Sequence, residues 1–198
     1  MERLPGFDGF VVRGVLTPAE CAEWIARGAE AGFHESGPSH VFAGNRRRAT
    51  VSSPELAARI WERVGRHIDP VVHDAGASRS SHSGPCKPSP GTYAPTHVSD
   101  FMRISEYGPG GDFSVHVDTC LATSDSEAGF HTVLLYLDGD FEGGETVFYD
   151  QGRRAAVTPE PGLAVVFYHF QAHAGAEVRS GCKHVVRSEV MFSKLAEA

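Results

Sequence analysis

A chain of 198 residues with 41% hydrophobic and 22% charged side chains has the size and composition of one packed domain, which excludes wholesale disorder and a fibrous repeat. Its 18 lysines and arginines against 25 acidic residues leave a net charge of −7, which argues against an extended nucleic-acid surface. Cys21, Cys86, Cys120 and Cys182 lack the CxxC spacing of zinc or dithiol sites and read as reduced thiols, and neither a secretory leader nor a bilayer-length apolar run is present, so no membrane partner and a cytoplasmic location are expected.

Thr17-Pro18-Ala19-Glu20 predicts a helix start, with the Thr hydroxyl as cap, Pro at the first position and Glu reaching back. Arg46-Arg47-Arg48 could meet an anionic substrate, but a solvated run near a turn is the preferred reading. A second helix is predicted after Ser53-Pro54-Glu55, where Leu56, Ile60, Val64 and Ile68 recur every four residues and line one face. The helical lead-in spans 1–74, and residues 75–97, rich in Ser, Gly and Pro, read as a long loop of the kind that covers active sites. From 98 to 198 short β-rich runs alternate with turn formers and predict strands near 98–107, 112–118, 131–138, 145–150, 163–169 and 183–192. The expected class is mainly β (α+β), a sandwich or barrel with helices packed outside.

In Phe113-Ser114-Val115-His116-Val117-Asp118, strand alternation assigns Phe113, Val115 and Val117 to the core face and His116 and Asp118 to the other. Two positions along a strand span about 6–7 Å, across which an imidazole and a carboxylate can converge on one ion. A third ligand is available in His173, just after the apolar run 163–167, with His169 as its rival; His131 reads as structural. Two histidines and a carboxylate on one face of an octahedron leave three positions open, which suits iron(II) binding an organic cosubstrate and O2 together. A cosubstrate carboxylate needs a cation, and Lys183 and Arg187 share one strand face.

The segments 103–113, His116 with Asp118, 132–138, Phe141-Glu142-Gly143-Gly144-Glu145-Thr146, Pro159 and Gly162, His173, Gly175, Gly181, Lys183 and 186–192 together resemble the prolyl-4-hydroxylase-like superfamily of iron(II)- and 2-oxoglutarate-dependent dioxygenases. The resemblance covers roughly the C-terminal half, with Asn45-Arg46 and 56–64 similar to the helical lead-in of its relatives. It implies a double-stranded β-helix of jelly-roll, cupin-like form, iron on His116, Asp118 and His173, and the distal carboxylate of 2-oxoglutarate on Lys183. Tyr107 and Tyr136 are implied as cosubstrate hydrogen-bonders, Arg187 as a further cation or a substrate contact, and His169 is demoted. Asp138 departs from the family, whose members more often carry Asn there.

The implied activity is hydroxylation with succinate and CO2 as co-products. An intact Asp118 argues against halogenation, because related halogenases carry a small residue at that place. A small molecule or amino acid is the expected substrate, a peptidyl, prolyl-type hydroxylase the alternative, and a catalytically silent barrel a third reading. Residues 75–97 and 119–130 are expected to carry specificity.

Overall fold

The computed structural model describes residues 1–35, 45–73, 82–83 and 88–196. Helix α1, Pro18–Ala31, begins with the full reciprocal cap: Thr17 Oγ1 accepts from the Glu20 amide at 3.3 Å, and the Thr17 amide donates to Glu20 Oε2 at 2.7 Å. Helix α2, Pro54–Val64, starts on the Ser53 hydroxyl, which accepts from the Leu56 amide at 3.2 Å. It buries Leu56, Ala57, Ile60 and Val64 on one side, while α1 buries Cys21, Trp24 and Gly28. No helix among the described residues is long and apolar enough to cross a membrane.

Two larger sheets and a two-stranded pair, Phe141–Gly143 with Val178–Gly181, carry the rest. Across the larger one run Glu2–Arg3, Gly9–Val12, Ala164–Tyr168, Glu127–Tyr136, Lys183–Lys194, Phe101–Tyr107, Arg46–Ser52 and His34–Glu35. Gly91–Val98 and Phe101–Tyr107 share one edge of the long strand Lys183–Lys194, pairing with its far and near halves respectively. The smaller sheet has the order Arg153–Val157, Thr146–Asp150, His173–Gly175 and Phe113–His116. On Glu127–Tyr136, Val133 and Leu135 join the core beneath the helices, whereas Leu134 and Tyr136 face a second core with Phe148, Val165 and Phe167 between the sheets. Central strands buried on both faces become unbroken apolar runs such as Ala164-Val165-Val166-Phe167, each buried Val or Phe contributing about 1.5–3 kcal/mol. At Gly162, with φ +77°, an added Cβ would meet the Leu16 carbonyl oxygen at 2.0 Å, so this turn beside the helix start takes only glycine.

The strand-rich core and the N-terminal helices agree with expectation, and four local readings need correction. Arg46–Arg48 opens a seven-residue strand and is not a turn. Within 75–97, residues 91–97 belong to the strand Gly91–Val98, whose Pro95 lies opposite Phe192 where the register shifts and a missing amide donor is tolerated. Much of 75–87, Cys86 included, lies outside the described residues. Residues 119–130 are mostly strand, Cys120–Ser124 pairing with the start of Glu127–Tyr136. Val115 and Val117, expected in the core, are 55% and 47% exposed, because the sheet places the 116 and 118 side chains inward and their neighbours outward.

Candidate metal centre and cosubstrate recess

His116 ends the edge strand of the smaller sheet and is the direct antiparallel partner of His173, which begins the adjoining strand. Asp118 follows where the strand has ended, its amide donating to the His169 carbonyl at 2.9 Å. His116 Nε2 stands 3.8 Å from Asp118 Oδ1 and His173 Nε2 3.8 Å from Oδ2, and all three donors lie within 4.8 Å of one another. Ligands about 2.1 Å from one ion stand roughly 3–4 Å apart, so small side-chain shifts close this set on a cation.

The imidazoles are oriented for that task. Nδ1–H of His116 donates to the Ser114 carbonyl at 2.8 Å and that of His173 to the Gln171 carbonyl at 2.9 Å, leaving each Nε2 lone pair turned inward. Phe113 stacks on His116 at 3.9 Å between centroids, and Phe167 meets His173 edge-on at 4.5 Å. Burial lowers both histidines, His173 to about 4, so both are neutral and ready to ligate at neutral pH. Burial alone would raise the Asp118 carboxyl, but Arg187, the neighbouring histidines and Thr132 together hold it well below the usual range. Arg187 Nη2 is 3.2 Å from Oδ1, and the Thr132 hydroxyl donates to Oδ2 at 2.5 Å. His169 offers only its backbone here; its ring is fully buried, and neither nitrogen has a hydrogen-bond partner among the described residues.

Burial also depresses His131 to about 4 and His169 to about 3. Folded values below the unfolded one make the stability contribution complete above pH 6.5 and progressively lost as pH falls toward 4, because the unfolded chain takes up the extra protons. With His173, three such groups give a slope of up to about 4 kcal/mol per pH unit. The urea midpoint of the metal-free protein is expected to fall steeply between pH 6 and pH 5; a flat midpoint across that interval would contradict these burial effects.

Register places the remaining candidates in rows on the inner face of the large sheet. Lys183 lies opposite Tyr107, which lies opposite Arg46; Arg187 lies opposite both Arg103 and Leu134. Lys183 is buried at the recess floor, its Nζ donating to the Gly144 carbonyl at 2.6 Å and standing 5.4 and 5.5 Å from the Tyr107 and Tyr136 ring centroids. Burial pulls its ammonium down to about 8, and no carboxylate lies within ion-pair distance among the described residues. Leu134, Val185 and Thr146 line the walls. Tyr136 donates its hydroxyl to Thr146 at 2.6 Å, so it is Thr146 that borders the recess. Arg187 stands two strand residues beyond Val185, beside Asp118 and Glu189.

Outside the recess an open cleft of about 460 Å³ is bordered by Arg46, Arg48, Arg103, Arg187, Val117 and Glu189 and reaches His116 and Asp118. Another cleft, of about 530 Å³ beside α2, shares no lining residue with these donors. The one other grouping of metal-type donors among the described residues, Glu106, Cys182 and His184, is internally satisfied: His184 Nδ1 lies 2.5 Å from Asp138 and Arg47 pairs with Glu106. Asp138 also accepts from the His184 amide at 2.9 Å, which gives the residue that departs from the family pattern a structural task.

Sequence reasoning missed Thr132, Thr146 and Arg103, and set Arg48 aside in favour of a solvated run. Arg46 and Arg48 alternate on a strand, a signal that was present but hidden by the turn reading. The threonines carried no local signal, since their hydroxyls matter only through partners at Asp118 and Tyr136.

The family model described as the 2OG-Fe(II) oxygenase superfamily matches residues 102–189, which carry both ligand segments and Lys183. That segment belongs to the superfamily. The protein is an enzyme of the iron(II)- and 2-oxoglutarate-dependent dioxygenase class, with iron(II), 2-oxoglutarate and O2 as its cofactor and cosubstrates. The oxygenase shares its fold with a viral collagen prolyl hydroxylase from Paramecium Bursaria Chlorella virus-1, at 18% identity and a TM-score of 0.62 over 96% of this chain and 98% of that one. A 2OG-Fe(II) oxygenase family oxidoreductase from Burkholderia pseudomallei aligns at 15% identity and a TM-score of 0.63, over 96% and 88%. A Trichoplax adhaerens prolyl hydroxylase, in complex with a hypoxia inducible factor peptide fragment, aligns at 14% and 0.60, over 96% and 85%. No curated protein matches the sequence.

Proposed function

We propose that this oxygenase hydroxylates a residue, of prolyl type, within a peptide or protein. The open cleft at the metal donors carries this reading. Among the described residues, Phe113–His116 pairs on one side only, so a strand edge with exposed Val115 and Val117 beside it borders the cleft that reaches His116 and Asp118. An enclosed cavity would suit a small molecule; an open groove beside a free strand edge suits an extended chain. Two fold relatives, a collagen prolyl hydroxylase and a prolyl hydroxylase in complex with a peptide, support the same choice over a free amino acid.

In this reading His116, Asp118 and His173 hold iron(II), and the sheets are the two walls of a double-stranded β-helix formed by a single domain, 1–198. The donor set fits: two neutral imidazoles with inward Nε2 atoms and one ionised carboxylate leave a face open. When bound, the metal with 2-oxoglutarate and O2 supplies the oxidising chemistry, one oxygen atom going to the substrate C–H as hydroxyl and the other to succinate as CO2 leaves. Lys183 receives the distal carboxylate at the recess floor, where low polarity strengthens a charge-assisted bond. Tyr107 flanks that contact, with Tyr136 behind it through Thr146. Leu134 and Val185 exclude water, and Arg187 keeps Asp118 ionised.

The test supplies iron(II), 2-oxoglutarate and O2 with proline-containing peptides or free amino acids and measures succinate release and substrate mass. A gain of about 16 Da on peptide, coupled to succinate, is expected from insertion of one oxygen atom. Coupled turnover of free amino acids alone would overturn the peptidyl reading, and no succinate under any condition would identify a silent barrel.

A further inference from the structure

We infer that the substrate is an acidic peptide, carrying a carboxylate side chain within one or two residues of the hydroxylated position and held by Arg48 and Arg103 at the cleft rim. This rests on the peptidyl reading above and names the chemistry that the same cleft selects.

Along the inner face of the large sheet, Arg187 and Arg103 are direct cross-strand partners, an arrangement of like charges that destabilises a sheet unless anions offset it. Arg48 lies opposite Ser105 on the neighbouring strand and lines the same cleft. The carboxylates bordering the cleft are Asp118 and Glu189. Asp118 belongs to the proposed metal set, which leaves Glu189 as the one other carboxylate beside the four guanidiniums that border the cleft.

Glu189 is already shared: Arg187 Nη1 lies 3.1 Å and Arg103 Nη1 3.7 Å from the same Oε1. Arg48 is exposed and makes no ion pair among the described residues. Burial lowers the Arg103 guanidinium, with Arg187 and Arg48 adding to the shift, so that group gains from an arriving anion. Iron(II) and the 2-oxoglutarate dianion cancel each other's charge, so the surplus persists in the loaded site. A cationic cleft in a chain of net charge −7 is a local feature that the overall charge does not produce.

Position follows from the contact chain. Asp118 touches Arg187 at 3.2 Å, Arg187 touches Glu189, and Glu189 touches Arg103, so the outer arginines begin a short step from the metal donors. An extended peptide advances about 3.3 Å per residue, which places the anionic side chain one or two residues from the reacting one. Exposed Val117, which borders the same cleft, supplies an apolar contact for the residue between them.

Three peptides of equal length around a central proline, flanked by Asp and Glu, by Asn and Gln, or by Lys, provide the test. Peptide-dependent succinate release gives KM, and anisotropy of the labelled peptides, measured anaerobically with iron(II) and 2-oxoglutarate, gives Kd. The acidic peptide is expected to bind at least about tenfold more tightly than the amide peptide, and its Kd to rise several-fold between about 50 mM and about 500 mM salt. Arg48→Glu, at an exposed position, is expected to lose that preference and to improve binding of the Lys peptide. Equal Kd and KM for all three peptides in the native enzyme would overturn the acidic-substrate inference and leave the peptidyl reading intact. Turnover of free aspartate or glutamate but of no peptide would overturn the peptidyl reading and with it the acidic peptide, while the salt dependence would still assign the anion preference to the cleft. Preference for the Lys peptide would overturn the inference outright.

Discussion

His173→Ala is expected to abolish the visible charge-transfer band formed when the metal-free protein is mixed anaerobically with iron(II) and 2-oxoglutarate, and to weaken iron binding by more than about 100-fold. His173 and His116 are direct cross-strand partners with the Nε2 atoms turned inward, so removing one leaves a two-point chelate that cannot fix the metal's open face. His169→Leu is the discriminating companion. That ring has no hydrogen-bond partner among the described residues and contributes only its carbonyl to the Asp118 amide, so the band should survive. Survival of the band in His173→Ala, or its loss in His169→Leu with the fold intact by circular dichroism, would reverse the ligand assignment.

Lys183→Met is expected to raise the Kd and KM for 2-oxoglutarate by roughly 30- to 1,000-fold, the effect of losing one partner of a buried charge-assisted contact. Its pH dependence is specific to the residue. In the free protein Lys183 loses its proton near pH 8, and only the ammonium attracts a carboxylate, so affinity should be full below that value and decline above it. Lys183→Met should show a flat profile over the same range. Without 2-oxoglutarate the sign for stability is opposite. A buried lysine lowered from 10.5 to about 8 costs the folded state about 3 kcal/mol below pH 8, and the cost disappears as pH rises toward 10.5. The methionine variant should therefore melt higher than the native protein at pH 7 and bind 2-oxoglutarate far more weakly. A modest KM change with lowered stability would place Lys183 among structural residues.

Much of this architecture is local. Thr17 and Ser53 cap the helices that their own neighbours announce, and the apolar runs at 132–137 and 164–167 form strands because they are buried on both faces. The pairing of His116 with Asp118 was legible for a similar reason, since alternation is a property of a single strand. The same rule misassigned Val115 and Val117. Alternation divides residues into two faces but does not say which face meets a core, and this strand lies at a sheet edge with its outer side in solvent.

Reading 46–48 as a solvated run near a turn missed the strand because three arginines in succession have no apolar period, whereas the strand is held by register with Phe101–Tyr107. Gly91–Val98 was absorbed into the Ser-, Gly- and Pro-rich stretch before it, and Thr132 and Thr146 were invisible because a hydroxyl is informative only beside its acceptor.

By itself the order of residues determined the helix caps, the strand-rich half and the identity of the candidate ligands, all set by contacts within a few positions along the chain. Tertiary structure alone set the His173 imidazole 3.8 Å from Asp118, put Arg187 on the flank of that carboxylate, and gathered four arginines from three strands around one cleft. The physical reason is distance: imidazole, ammonium and guanidinium acquire their roles from charges a few ångströms away, and those neighbours come from strands up to about 140 residues apart in sequence.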